Sequence, residues 1–279
     1  MAAFVACGDG GNGPGAGPST QIVFQSTRLT GSPGIFLMDP DGSDVRPVLA
    51  DASINASPVL SPDGTRIVFT STREGKQAIY LIDVSGTNLR RITSDTFAEG
   101  SPTWSPDGSR IAFVRSSQTF GGAGLFTVNA DGSGLAQVHG SGSQPAWSPD
   151  GSRIAFGDGA IYLIDPDGSN LTPLVSGMGS MDDPAWSPDG TRIAFGGAVT
   201  NQDIFVVDAD GSNLVNITNT ADPSGEIQPS WSPDGQQIIF TGFRNGNEEI
   251  VRRRANGSGE TILTNLGAHD MHPSWSVKP

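Results

Sequence analysis

The hydrophobic pattern of the chain is a succession of short apolar runs broken by polar turns. One set of runs closes on phenylalanine, at Phe69, Phe113, Phe156, Phe195 and Phe240, each nine residues beyond an apolar position held by Leu60, Trp104, Trp147, Trp186 or Trp231. Directly after each of those positions stands the same turn, SPDG, beginning at Ser61, Ser105, Ser148, Ser187 and Ser232. Proline pre-sets φ for the second turn position, aspartate offers a local side-chain acceptor, and glycine takes a positive φ at little cost. A rigid joint at constant spacing predicts two strands flanking it.

A second set of runs follows: IFLMD from Ile35, IYLID from Ile79, LFTVN from Leu125, IYLID from Ile161, IFVVD from Ile204 and IVRRR from Ile250. Their β-branched and aromatic content reads as a third strand. Each meets a glycine seven residues after its first position, at Gly42, Gly86, Gly132, Gly168, Gly211 and Gly257, which predicts a second hairpin leading to outer strands such as LRRIT from Leu89 and LVNIT from Leu214. The unit is a four-stranded antiparallel meander repeating every 39–45 residues. Such a sheet has two apolar faces, and stacking copies around an axis covers both.

The two ends supply the closure. QIVFQS from Gln21 carries the second strand's Phe24 with no SPDG before it, while HPSWS from His272 is a first strand with nothing after it. Joined, they complete a sixth blade. The expected fold is all-β: a six-bladed β-propeller of four-stranded blades over residues 21–279, its first blade completed by 272–276, preceded by a Gly/Pro-rich tail or tether over 1–20.

The recurrent xPxWSPDGxxIAF, followed by IYxxDxxG and a short LT-containing strand, resembles the repeat of the TolB-type (WD-like, PD-type) bacterial β-propeller family, from about Gln21 to Ser276. The resemblance implies an envelope location and protein–protein binding through one face of the ring. In that family a small α/β domain precedes the propeller, whereas about twenty low-complexity residues precede it here. The repeat is also similar to the propellers that gate serine peptidases of the prolyl oligopeptidase type, but no hydrolase sequence accompanies it.

Charge and composition narrow the partners. The net charge of −13, from 16 Lys+Arg against 29 Asp+Glu, argues against a nucleic-acid partner. No apolar run reaches the eighteen residues of a membrane span. Cys7 is the sole cysteine, which excludes an internal disulfide and a thiolate metal cluster. Followed by glycine and proline, it is a candidate lipid-bearing residue, and the expected location is periplasmic or envelope-associated.

Two groups of residues are candidates for binding. Loops entering the inner strands would bring Asn55, Glu99, Gln144, Asp182, Asp183, Glu226, His269, Asp270 and His272 to the mouth of the central channel. The loops joining second to third strands carry Phe120, Phe243, Arg28, Arg73, Arg115 and Arg244, with a notch where the fourth blade has only GDGA from Gly157. The tryptophans read as packing between blades. His269 and His272 share a loop and His139 lies in another, a spacing that does not specify a transition-metal site. The DPDGS turns end too soon for a calcium loop. Neither metal nor cofactor is expected. No G-x-S-x-G, P-loop, HExxH or dinucleotide pattern occurs. The sequence therefore reads as a monomeric, non-catalytic binding propeller that recognises a protein or small ligand at the channel mouth. The alternative is a polysaccharide- or peptide-processing lyase or hydrolase with carboxylates and histidines at that mouth.

Overall fold

The computed structural model describes residues 20–93, 97–116, 122–199, 201–220, 225–265 and 267–277. Six four-stranded antiparallel sheets follow one another around a ring. Blade 1 combines β1 (Thr20–Ser26), β2 (Gly34–Met38) and β3 (Arg46–Leu49) with the last strand, β24 (Asp270–Val277), in the order β24-β1-β2-β3. The chain's end is thus the innermost strand of its first blade, with Ile22 opposite Trp275 and Ser26 opposite Asp270. The other blades are continuous: β4–β7 (Asn55–Arg91), β8–β11 (Ala98–His139), β12–β15 (Ser143–Val175), β16–β19 (Met181–Asn216) and β20–β23 (Glu226–Ile262).

Apolar clusters lie between sheets. Val23, Ile35 and Leu37 of blade 1 pack with Ile67, Phe69 and Tyr80 of blade 2, and Ile22 and Phe24 on the other face pack with Ile239 and Ile250 of blade 6. The second-strand phenylalanines Phe24, Phe69, Phe113, Phe156, Phe195 and Phe240 are all fully buried. Burial of each contributes about 1.5–3 kcal/mol, and most of it depends on the neighbouring blade. Tryptophans seal the same seams: Trp104 Nε1 donates to the Val59 carbonyl of the preceding blade, and Arg66 of that blade lies over its ring at 4.9 Å.

Both turns behave as their sequences dictate. In the SPDG turn, Ser61 Oγ donates to Asp63 Oδ1 at 2.6 Å and accepts from the Arg66 N–H at 2.9 Å. Hydrogen bonds from Ser105 and Ser109 hold Asp107 at a pKa of about 2, which accounts for the carboxylate locally. In the second hairpin, Asp41 likewise accepts from the Ser43 N–H and hydroxyl.

The outer strands are shorter than expected in three blades: β7 (Arg90–Arg91), β19 (Val215–Asn216) and β23 (Thr261–Ile262) have two residues each. In these blades Thr93, Thr218 and Thr264 accept the N–H of Ile79, Ile204 and Ile250 through their side chains. Where Leu49, His139 or Val175 stands instead, the backbone pairs and the strand reaches four residues.

Candidate functional site

The site begins with a proline. Each inner strand carries one, and each residue before it has a positive φ: Ser57 (50°), Ser101 (50°), Gln144 (40°), Asp183 (54°), Gln228 (59°) and His272 (52°). The register of the innermost pair slips at these positions in every blade. The result is a β-bulge, in which an extra residue bends the strand and re-aims a side chain. All six residues line one central cavity of about 280 Å³, together with the prolines and with Trp147 and Trp186. The ring runs Ser, Ser, Gln, Asp, Gln, His on a backbone that repeats.

Half of that ring is polar in a defined sense. Gln228 Oε1 accepts from Thr241 Oγ1 at 2.9 Å and from the His272 N–H at 3.1 Å. Its amide nitrogen is thereby turned toward His272 Nε2, 2.7 Å away. The imidazole must accept there, so its proton sits on Nδ1, an atom with no protein partner. Burial drives the His272 pKa down to about 4 and keeps the ring neutral. Asp183 is pushed up to about 7 by burial and then by the adjacent Asp182, opposed only by the backbone N–H of Gln228. Gln144 Oε1, one blade away, is buried without a donor.

Of the residues expected at the channel mouth, the structure brings Gln144, Asp183 and His272 to the cavity and places the others elsewhere. Asp270, Glu99 and Glu226 are fully buried in ion pairs: Arg28–Asp270 at 2.9 Å, Arg115–Glu99 at 2.9 Å and Arg244–Glu226 at 2.6 Å. Arg73 makes the corresponding contact with Asn55 at 2.9 Å and also reaches Asp51. These arginines lie at or just beyond the ends of the second strands, and the groups they hold lie at the starts of the first strands. Each therefore clamps a blade from within, and Arg28 lies 5.1 Å over Phe24 and 5.2 Å over Phe36. Arg244 also pairs with Glu260, and the two carboxylates raise its pKa further. Asp182 is half-buried under the Ser143 and Ser180 hydroxyls. His269 is exposed and paired with Glu248. Phe243 is half-buried, whereas Phe120 and Cys7 lie outside the described residues.

The sequence reading overlooked Ser57, Ser101 and Gln228. Their signal was present as the residue directly before each inner-strand proline. Among the described residues, no group of three or more His, Cys, Asp or Glu side chains is arranged to hold a metal ion.

The family model for the TolB beta propeller domain matches residues 10–135 and 100–277. The chain belongs to the TolB beta propeller domain family. It is 42% identical over 57 residues to the Protein TolB homolog of Chlorobaculum tepidum, a segment that is 20% of this chain and 13% of that protein. The fold is similar to that of TolB from Acinetobacter baumannii, with a TM-score of 0.82 and 22% identity, covering 92% of this chain and 66% of the other. A provisionally assigned TolB of Agrobacterium tumefaciens has a TM-score of 0.71 and 20% identity, covering 95% of this chain and 100% of that one. The chain thus spans less than two thirds of the Acinetobacter TolB and a small part of the Chlorobaculum protein.

Proposed function

We propose that the protein is a non-catalytic binding propeller of the bacterial envelope, which recognises its partner at the mouth of the central channel. One observation carries this reading. Six strained, non-glycine residues sit at the same bulge in six blades, and all six face one cavity with four kinds of side chain. Left-handed backbone at non-glycine residues costs of order 1–3 kcal/mol each and is commonly retained where it shapes a site. The SPDG turns that end the inner strands repeat the same residues and satisfy their own polar groups locally. The pre-proline ring therefore has the chemical individuality that recognition needs.

Membership of the TolB family supports the envelope location, and Cys7 is the residue that would carry a lipid anchor there. The described residues contain no helix long and apolar enough to cross a membrane. The test is capture from a bacterial envelope extract by three forms: wild type, a Ser57→Tyr/Ser101→Tyr variant that fills the mouth, and an Asp41→Asn variant in an outer hairpin turn that does not line the cavity. Retention by wild type and Asp41→Asn, with loss in the tyrosine variant, is the expected result. Equal retention by all three would remove the channel mouth from consideration.

A further inference from the structure

The cavity has a chemical bias. Among its described lining residues there is one acid, Asp183, and neither lysine nor arginine. Elsewhere buried acids are met by arginines, as at Asp270, Glu99 and Glu226, or by several side-chain and backbone donors, as at Asp203, or by a hydroxyl, as at Glu249, whereas Asp183 meets only the backbone N–H of Gln228. Gln144 Oε1 has no donor. The wall also holds a donor without an acceptor, His272 Nδ1–H, fixed in that tautomer by Gln228 and Thr241. An occupant complementary to this wall needs a positive N–H donor on one side and an oxygen acceptor on the other. The cavity, about 280 Å³, lies at the lower end of the range for small-ligand sites.

We infer that the central cavity binds a small hydroxyl- or carbonyl-bearing organic ammonium ion, its N–H groups directed to Asp183 and Gln144 and its oxygen to His272 Nδ1–H. Rotation of the Gln144 side chain turns its amide oxygen to the ligand. The ammonium supplies the counter-charge that the protein withholds, and prolines, Ala146 and Trp147 supply the apolar wall along the ligand's carbon chain. A lysine tip on a partner chain would present the same cation. The inference rests on the channel mouth being the recognition site.

The experiment is calorimetric titration of the whole protein at pH 8 with four probes of one size: 3-aminopropanol, propylamine, 1,3-propanediol and 3-hydroxypropionate. Saturable binding of 3-aminopropanol is expected, with propylamine a few-fold weaker and no detectable binding of diol or acid. Asp183→Asn should lower the affinity for 3-aminopropanol at least tenfold, and Gln144→Met by about threefold, with thermal melting showing both variants folded. Asp182 and His272 are the other titratable groups beside Asp183. His272 stays neutral above pH 5, so ionisation of Asp183 sets the dependence on pH. Affinity should be about tenfold weaker at pH 6 than at pH 8. A lysine-centred pentapeptide binding at least tenfold more tightly than propylamine would place the cation on a polypeptide, and equal or weaker binding would place it on a free small molecule. Equal binding of the diol, no saturation by any amine, or an unaffected Asp183→Asn variant would overturn the inference. If no amine binds but Ser57→Tyr/Ser101→Tyr still abolishes capture, the ligand chemistry alone has failed. If capture also persists, the site has failed.

Discussion

At the scale of the residue, the acids of this protein divide by whether a cation reaches them. Arg28 Nη2 lies 2.9 Å from both oxygens of Asp270, which is fully buried. Removing one partner of such a pair strands a charge, at a cost of about 3–5 kcal/mol, while replacing both by apolar groups can be neutral. Arg28→Met should therefore lower the denaturation midpoint markedly, and Arg28→Met/Asp270→Leu should recover most of the loss; urea unfolding of the two variants checks this. Asp183 has the opposite environment. Its pKa rises from 3.8 to about 7, so between those values the folded protein keeps a proton that the unfolded chain has released, and stability falls as pH increases. His272 is lowered from 6.5 to about 4, so its own contribution rises with pH across that window. The two oppose each other below pH 6.5. Asp183→Asn should then be more stable than wild type at pH 8, by roughly 1–3 kcal/mol, with the advantage shrinking toward pH 4. Chemical denaturation at pH 5, 6.5 and 8 measures it, and an advantage that does not change with pH would show that Asp183 is not the titrating group.

At the scale of the element, each hairpin glycine has two duties. Gly168 has φ of 88°, and a Cβ there would stand 2.6 Å from the Val138 carbonyl oxygen of the preceding blade. Gly42 repeats the arrangement against Leu263 across the closure of the ring, also at 2.6 Å. Gly168→Ala should cost more than the ~1 kcal/mol of a positive φ alone, about 2–3 kcal/mol, because a backbone oxygen must also move. Thermal unfolding beside Gly159→Ala, whose φ is 70° and whose Cβ would meet nothing, separates the two contributions. The φ requirement of Gly168 was legible in its spacing; the neighbour it touches was not, since that contact exists only after blades stack. The same limit explains the mouth. Register could place Asp183 and His272 in the inner strands and the proline after each was visible, but that the pre-proline residue is the one a bulge turns to the cavity shows only in the fold. Glu99, Glu226 and Asp270, two residues earlier, face their own blade's arginine instead. In the outer strands, LRRIT was legible as a strand, while the substitution of Thr93 Oγ1 for a backbone acceptor was not.

At the scale of the whole molecule, the ring has one joint that is not covalently continuous within a blade. Blade 1 acquires its inner strand from residues 270–277, and β24 supplies Asp270 to the Arg28 clamp, His272 to the cavity and Trp275 to the cluster between blades 6 and 1. Its loss would expose the inner edge of β1 and uncover Ile22, Phe24 and Ile239. Because each blade is stabilised largely by its neighbours, this damage should propagate rather than remain at one end. Deletion from Ala268 onward should therefore lower the melting temperature by well over 10 °C, since each kcal/mol moves a chain of about this size by roughly 2–4 °C. It should also broaden the transition and abolish binding at the cavity. Adding a synthetic peptide spanning residues 268–279 should restore part of both, since the groove between blade 6 and β1 remains its template. A truncated protein that melts like the wild type would show that the ring does not depend on its final strand, and the shared origin proposed here for stability and for the His272 side of the site would fail with it.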